Sequence, residues 1–293
     1  FLDIYKFPDL IHLHGIRYLA LVALFIKYVK GIPVVIGSYG YIFHTKYLPL
    51  IKEFTFKYFF GPLITQFDLL HTISKQDTEL ANLRIKSHPK IFQMTGGIEF
   101  SKKKYVSHEH KQNIIFTWGR LSPHKNIESL FYLLSVSPQI TLRVAFTGYE
   151  EKYYSQIKKL INNHNIEKQV IFLGKLNSQE LEKEILYSEA VVLPSNYEGF
   201  GLTAIEAMKV GRMVVANDII AYRNIISHNM NGLLINFNDP KKLCNFWKDF
   251  FPCLDDQRYI LESNAFKTSL DYDWDPKVKA LTNEYHSLIS YYK

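Results

Sequence analysis

Cysteine and long apolar runs are both scarce in this chain. Only Cys244 and Cys253 occur among the 293 residues. Two cysteines provide neither a disulfide framework nor the ligand spacing of a zinc site, and they suit a reducing compartment. The nearest approach to a membrane span, residues 18–26, is bounded by Arg17 and Lys27, so it predicts a packed helix. With no recognisable secretory signal, these absences predict a cytoplasmic protein.

Charge of one sign is not strongly in excess either. The chain has 35 lysines and arginines against 28 acidic residues, which gives a formal net charge of +7. The basic residues are scattered, and no helix-turn-helix, zinc or RNA-binding pattern accompanies them, so a nucleic-acid partner is not predicted. A modest basic excess instead favours a nucleotide diphosphate or the anionic inner face of a membrane.

One aromatic cluster bears on membrane contact. It is accompanied by Lys52 and Lys57. A basic aromatic helix of this kind is typical of peripheral contact with a bilayer, but a core-facing helix with outward lysines has the same composition. Both interpretations fit the cluster, which comprises Phe54, Phe56, Tyr58, Phe59 and Phe60.

The order of apolar and amphipathic stretches indicates the fold class. Strand-like and helical segments alternate along the chain, which predicts α/β architecture with parallel sheets and crossover helices. The length suffices for two domains, and the charged segment 101–111 has the composition of a linker. After it, the sequence predicts strands at residues 113–118, 141–147, 169–173, 190–193, 213–216 and 232–235.

Residues 190–210 contain the most informative pattern. A short apolar strand is followed by Glu198, a Gly-Phe-Gly turn ending at Gly201, and a helical pattern that contains Glu206. Free N–H groups and the helix dipole favour an anion such as a diphosphate at this position. The two carboxylates can accept hydrogen bonds from sugar and ribose hydroxyls. Alone, the pair could equally be a helix-start acid and a solvated helix acid.

A second pattern supplies cations. The apolar strand from residue 114 ends at Gly119, and Arg120 and Lys125 follow five residues apart. The planar guanidinium can grip phosphate oxygens and the ammonium adds a point charge, so the two can neutralise a leaving diphosphate without a metal ion. A solvated basic turn would look the same in isolation.

Together the two segments resemble the E-x7-E signature and the G-R-L-x-x-x-K-N motif of the retaining, nucleotide-sugar-dependent glycosyltransferases of family 4. The resemblance implies the GT-B fold, in which two Rossmann-like doubly wound domains face a cleft. It implies that Glu198 faces the donor sugar and that Glu206 holds the ribose. No metal and no cofactor other than the donor is expected. The remaining donor-binding residues would be Gly199, Phe200, Gly201, Leu202 and Thr203.

Two histidines occur in an earlier strand-like segment. Period-2 alternation over residues 9–15 places His12 and His14 on one face, with His14 at the carboxyl end of the strand. Ligands of open α/β sheets bind outside those ends. The resemblance places a histidine there against the donor sugar, which makes His14 the candidate. Satisfied core histidines are the alternative for both.

Residues 33–46 form another apolar strand that opens into a glycine loop. The loop resembles the T-H-G-G-F-F-H-T loop of members that include polyprenyl-diphosphate-linked mannosyltransferases, but Tyr39 and Tyr41 replace its first histidine and second glycine. The resemblance implies a loop that lines the acceptor cleft. It favours GDP-mannose and a lipid-linked acceptor in surface polysaccharide synthesis and leaves UDP-hexoses open.

The resemblance also implies the domain boundaries. We expect an N-terminal acceptor-side domain at residues 1–102, a nucleotide-sugar-binding domain at 103–275, and a terminal helix at 276–293 that crosses back to the first domain. Since family members have a longer first domain, this one is expected to be incomplete. The function implied is retaining hexosyl transfer to a glycan or lipid-linked acceptor; the alternative is a non-catalytic sugar-nucleotide-binding or scaffold subunit.

Overall fold

The computed structural model describes residues 7–15, 18–37, 49–85, 87–100, 105–106, 109–251 and 255–292. The chain forms two compact units: unit 1 contains residues 1–97 and 274–293, and unit 2 contains residues 98–273. The chain enters and leaves unit 2 at adjacent points, because the amide of Ile98 donates to the carbonyl of Tyr272 at 2.8 Å. Residues 38–46 of the acceptor-loop prediction, and 101–104 and 107–108 of the predicted linker, lie outside the described residues.

Unit 1 is built on a four-stranded parallel sheet. Its strands are β1 (Ile11–His14), β2 (Val34–Gly37), β3 (Leu69–Thr72) and β4 (Lys90–Gln93), in that spatial order. The connecting helices are α1 (Leu19–Lys30), α2 (Pro49–Thr55), α3 (Gly61–Ile64) and α4 (Lys75–Arg84), with a π-helical turn at Phe56–Phe60 between α2 and α3. A C-terminal helix, Trp274–Tyr292, completes the unit.

The two faces of this sheet are chemically different, because successive side chains of a strand point to opposite sides. One face packs Val34, Ile36 and Leu70 against α1, the π-helical turn and α4 in a single hydrophobic core. On the opposite face His12 hydrogen-bonds through its ring nitrogen Nδ1 to the hydroxyl of Tyr285, at 2.6 Å. The C-terminal helix therefore covers the histidine face of the sheet.

The structure bears on two helical predictions for unit 1. Helix α1 is a packed helix as predicted, but on one side only, with Ala20 and Leu24 buried and Phe25 67% exposed. In the aromatic cluster Phe56 is buried, whereas Phe54 and Phe59 are exposed, so the core-facing interpretation fails for most of it. The physical reason is that a helix packed on one face of a sheet buries only its inner stripe. Within the described ranges, no helix combines the length and the apolar character that crossing a bilayer requires.

Unit 2 is a doubly wound domain with a six-stranded parallel sheet. The strands are β5 (Lys111–Leu121), β6 (Thr141–Tyr149), β7 (Val170–Gly174), β8 (Ser188–Leu193), β9 (Val214–Asn217) and β10 (Leu233–Ile235). Their spatial order is β10-β9-β8-β5-β6-β7, so the winding reverses between β5 and β8. The helices are α5 (Phe131–Val136), α6 (Glu151–Asn163), α7 (Ser178–Tyr187), α8 (Leu202–Lys209), α9 (Ile220–Arg223), α10 (Pro240–Asn245) and α11 (Asp255–Leu270).

A buried ion pair anchors α11 beneath this sheet. Arg212 is fully buried and its Nη1 lies 3.4 Å from Oε1 of Glu262 on α11. The same carboxylate oxygen accepts a hydrogen bond from the amide of Met213 at 3.1 Å, and Nη2 of Arg212 donates to the carbonyl of Leu186 at 2.7 Å. A charge removed from water requires such partners, so each member of the pair depends on the other.

Candidate active site

The loops that follow β5 and β8 meet at the reversal of strand order in unit 2. The amide of Asn196, after β8, donates to the carbonyl of His124, after β5, at 2.8 Å. The side-chain amide of Asn126 donates to the carbonyl of Pro194 at 3.2 Å. Ligands of doubly wound sheets bind at such a reversal, outside the carboxyl ends of the strands. The two sequence patterns that supply glutamates and cations are therefore brought to one place.

Asn217 holds the neighbouring loops together. It is the last residue of β9 and is buried, with its Nδ2 donating to the carbonyl of Ser195 at 3.1 Å. Its Oδ1 accepts from the amide of Phe237 at 3.2 Å and from that of Asp218 at 3.1 Å. One side-chain amide thus connects the segments that follow β8, β9 and β10, which fixes the base of the glutamate loop.

Glu198 and Lys125 form an ion pair at this position. Nζ of Lys125 lies 2.7 Å from Oε1 of Glu198, and the two side chains are only 15% and 14% exposed. The same oxygen accepts hydrogen bonds from the hydroxyls of Ser195, at 2.9 Å, and Tyr222, at 3.3 Å. Three donors on one oxygen fix the carboxylate. Among the described residues no donor contacts the second oxygen, Oε2, which is left to accept from a ligand.

Gly119 makes room for this lysine. Its φ of +139° lies in a region that residues with side chains rarely adopt. A Cβ at this position would lie 2.9 Å from both Cε and Nζ of Lys125. Glycine at the start of the G-R-L-x-x-x-K-N motif therefore lets the side chain of Lys125 lie across the backbone and reach Glu198.

Glu206 is held by an indole that the sequence patterns did not single out. Nε1 of Trp118 donates to Oε2 of Glu206 at 3.2 Å. Burial raises the pKa of the Glu206 carboxyl, and the Trp118 hydrogen bond and the charges of Lys209 and Lys125 act in the opposite direction. The influence of Lys125 on this pKa shows that one cation lies within electrostatic reach of both glutamates.

Helix α8 begins with Gly201 in the left-handed region, at φ +94°. A Cβ there would lie 3.1 Å from Cε1 of Tyr222, so the glycine also permits close packing. No side chain caps this helix start. Its first amides are therefore available to an anion.

The other predicted donor residues surround this helix start. Gly199 is exposed in the loop, and Phe200 packs half-buried with its ring 5.8 Å from that of Tyr272. Leu202 is exposed and Thr203 is half-buried in the first turn of α8. The loop therefore presents backbone and apolar surface beside the Glu198 carboxylate.

Arg120 does not join the ion pair. It is exposed, and within the described residues it has no salt-bridge partner. Its neighbour His124 places its ring nitrogen Nδ1 3.0 Å from the hydroxyl of Ser122. Burial and then the charge of Lys125 lower the pKa of His124, which favours the neutral ring near neutral pH. The cations of this motif thus differ: Lys125 is already paired and Arg120 faces solvent.

The histidines of β1 lie in unit 1. His12 and His14 do share one face, with ring centroids 4.4 Å apart, and His14 is exposed at the carboxyl end of the strand. Burial, followed by the charges of His14 and His71, lowers the pKa of His12 to about 4. His12 is therefore a neutral, half-buried residue that is hydrogen-bonded through Nδ1, whereas its buried Nε2 has no hydrogen-bond partner among the described residues, so it is not a fully satisfied core histidine.

In the part of the chain that the structure describes, no group of three histidine, cysteine or acidic residues could hold a metal ion.

Several positioning residues were missed by the sequence patterns. Trp118 directly precedes the G-R-L-x-x-x-K-N motif and Asn126 ends it, and Ser195 lies three residues before Glu198, but none of them was assigned a role. Tyr222 and Asn217 lie beyond the E-x7-E segment, and no local spacing connects them to Glu198. Only the sheet order, which places the ends of β8 and β9 side by side, brings them together.

Comparison with known proteins gives a family match over most of unit 2. The family described as glycosyl transferases group 1 matches residues 99–250, which is more than half of the chain. GDP-mannose:cellobiosyl-diphosphopolyprenol alpha-mannosyltransferase of Xanthomonas oryzae pv. oryzae is 22% identical over 98% of this chain and 76% of its own length.

Two solved structures show the same fold. HepE from Anabaena, in complex with UDP and glucose, has a TM-score of 0.74 and 19% identity over 95% of this chain and 78% of its own. Sucrose-phosphate synthase from Thermosynechococcus elongatus has a TM-score of 0.76 and 19% identity over 96% of this chain and 74% of its own. These likenesses identify the two parallel α/β units as a GT-B fold.

Proposed function

Since this chain belongs to the glycosyl transferases group 1, we propose that it transfers a hexose from a nucleotide diphosphate sugar, with retention at the anomeric carbon, to a glycan or lipid-linked acceptor. Glycosyl transfer is the activity of the family; the donor, acceptor and stereochemistry are proposed. The observation that carries the proposal is the Lys125–Glu198 pair, which lies at the reversal of strand order beside the uncapped start of α8.

The donor diphosphate would meet three sources of positive charge. Lys125 is a cation, the amides at the start of α8 add the helix dipole, and the exposed guanidinium of Arg120 can fold onto phosphate oxygens. Such groups stabilise the charge that develops on a leaving diphosphate. We therefore propose that transfer needs no metal ion, and full activity in excess chelator would support this.

The donor sugar and ribose would be held by the two glutamates. Oε1 of Glu198 is fixed by three donors, so its Oε2 can accept from a sugar hydroxyl. Glu206 is oriented by Trp118, so its remaining lone pairs can accept from ribose hydroxyls. The role of His14 towards the donor sugar is part of the proposal and is supported by its position at the carboxyl end of β1.

The identities of donor and acceptor are proposed from the relatives. The Xanthomonas relative is named for GDP-mannose and a diphosphopolyprenol-linked acceptor, whereas the Anabaena structure contains UDP and glucose. We propose GDP-mannose or a UDP-hexose as donor and a lipid-linked acceptor in surface polysaccharide synthesis, which requires action at the inner face of a membrane.

The decisive experiment combines donor binding with donor turnover. Calorimetry with UDP, GDP and their sugars identifies the nucleotide, and hydrolysis or transfer is then measured with Glu198→Gln. The matched control is Glu167→Gln, because Glu167 is exposed and precedes β7, at the opposite edge of the sheet from the candidate site. We expect Glu198→Gln to retain nucleotide binding and to lose about 10²–10³ in rate, while the control stays unchanged.

Two results would refute the proposal. Unchanged turnover in Glu198→Gln would show that Glu198 takes no part in the reaction. Tight nucleotide binding with no transfer to any lipid-linked or glycan acceptor would instead support the non-catalytic, sugar-nucleotide-binding subunit.

A further inference from the structure

Helix α1 carries apolar residues on its inner and its outer side, and its two lysines, Lys27 and Lys30, lie in its last turn. Its inner side contributes Ala20, Ala23 and Leu24 to the core of unit 1. Its outer side carries large apolar residues that are each more than half exposed, where a helix packed on a sheet normally presents polar residues to water. These exposed residues are Leu19, Leu21, Val22, Phe25, Tyr28 and Val29, with Tyr18 just before the helix.

The connection between β2 and β3 adds exposed apolar residues beside the outer side of α1. β1, β2 and β3 are adjacent, parallel and in chain order, and crossover connections are right-handed, so α1 and the α2–α3 connection lie on the same face of the sheet. Phe56 of this connection shares one core with Ala20 and Leu24. Its outward residues Ile51, Phe54, Tyr58 and Phe59 are also more than half exposed. We call the exposed residues of the two segments the apolar face; they are clustered on two neighbouring segments rather than scattered singly.

The charges around the apolar face are mainly positive. Residues 18–30 and 49–60 contain four lysines and one acidic residue, Glu53. Lys27 is paired, because its Nζ lies 2.8 Å from Oδ1 of Asp68, whereas Lys30 and Lys57 are exposed. That glutamate is neutralised, because Nη1 of Arg84 lies 2.6 Å from its Oε2. Nζ of Lys57 lies 5.4 Å from the centroid of the exposed Tyr58 ring, at the border of the face. The surface is therefore apolar in the middle, basic at its edge and rich in tyrosine.

We propose that the apolar face docks unit 1 onto an anionic lipid bilayer. Apolar side chains would enter the boundary between headgroups and acyl chains, tyrosine hydroxyls would remain among the headgroups, and lysines would meet acidic lipids. A second copy of the chain is a poorer occupant, because the same basic edges would face each other. The inference rests on the proposed function in one respect only: a lipid-linked acceptor is held at a membrane surface.

Vesicle cosedimentation tests the proposal directly. The probes are vesicles of phosphatidylcholine alone and vesicles containing phosphatidylglycerol. The test variant is the triple change Leu21→Ser, Phe25→Ser and Phe59→Ser. The matched control makes serine of three similarly exposed apolar residues of unit 2, Val136, Met230 and Ile260. Circular dichroism and urea unfolding of each variant check that both units remain folded, and nucleotide calorimetry checks the donor site in unit 2.

We expect preferential binding to the anionic vesicles, weakened by salt, and at least about a tenfold loss of partition in the test variant but not in the control. No binding to anionic vesicles would overturn the proposal, as would an equal loss in both variants. A dimer in sedimentation experiments that the test variant abolishes would assign the face to a second copy. Because binding to vesicles needs no donor, its failure is distinct from failure of the transferase proposal.

Discussion

Replacing Trp118 by phenylalanine should weaken nucleotide binding without disturbing the fold. The indole Nε1 is the donor to Glu206, at 3.2 Å, while the ring itself stacks on Phe116 with centroids 5.3 Å apart. Phenylalanine can retain the stacking but cannot donate. The substitution therefore isolates the hydrogen bond that orients the carboxylate proposed to hold the ribose.

The magnitude follows from the charge of the acceptor. A hydrogen bond to a charged group contributes about 1.5–3 kcal/mol, which corresponds to a factor of roughly 10 to 150 in Kd if the orientation of Glu206 is lost entirely. Burial already raises the pKa of this carboxyl, and the Trp118 hydrogen bond opposes that rise. In Trp118→Phe the pKa of Glu206 should rise further. As the pH is lowered, the variant's carboxylate is therefore protonated at a higher pH than that of the wild type, and its nucleotide affinity declines at that higher pH.

Titration calorimetry with UDP and GDP over a series of pH values measures both effects. Trp247→Phe is a suitable control, because Trp247 is similarly buried in unit 2 and stacks on Phe251 with centroids 4.5 Å apart. Urea unfolding of both variants gives their loss of stability. We expect the control to lose stability but to keep its nucleotide affinity.

Two outcomes would refute this reasoning. Wild-type affinity in Trp118→Phe would show that the indole hydrogen bond does not matter to the ligand. An equal loss of affinity in the two variants would show that general loosening of unit 2, rather than the orientation of Glu206, controls binding.

Two further predictions concern stability. Glu262→Ala leaves the fully buried Arg212 without its carboxylate and should lower the free energy of unfolding by about 3–5 kcal/mol in urea titrations, whereas a loss below about 1 kcal/mol would mean that the pair contributes little. His12 has its pKa lowered to about 4 by burial and by neighbouring histidines, so its contribution to stability is complete above pH 6.5 and is lost as the pH falls towards 4. Allowing for solvent screening, we expect a loss of roughly 2 kcal/mol over that window; denaturation at several pH values should show a flatter profile for His12→Gln, and identical profiles would contradict the assignment.

Local patterns were sufficient to predict the sheet of unit 2. Apolar runs of strand length recur between helical segments, and all six predicted strands are present, although β5 is longer at both ends than its apolar stretch. The helix after Gly201 is also confirmed as α8. These elements are determined by nearest neighbours in sequence, so periodicity and glycine placement identify them.

The partners of the candidate site residues could not be predicted in the same way. The Lys125–Glu198 pair joins residues from two loops, and the hydroxyl of Tyr222 reaches the same carboxylate from α9. Such contacts depend on strand order, which a single sequence does not specify. The exposure of the outer side of α1 could not be predicted for a related reason, because apolar composition shows that a residue can be buried but not what covers it.

The Lys125–Glu198 pair has a consequence for which anions the protein can retain. An unpaired lysine near the N-terminus of a helix would attract any small anion in solution, including inorganic phosphate. Here the ammonium already has a counter-ion at 2.7 Å, so part of its charge is neutralised before a phosphate arrives. A ligand would gain more if it also brought a hydroxyl for Oε2 of Glu198, since the three donors all contact Oε1. If the pair holds the donor as proposed, it would favour a sugar diphosphate over bare phosphate.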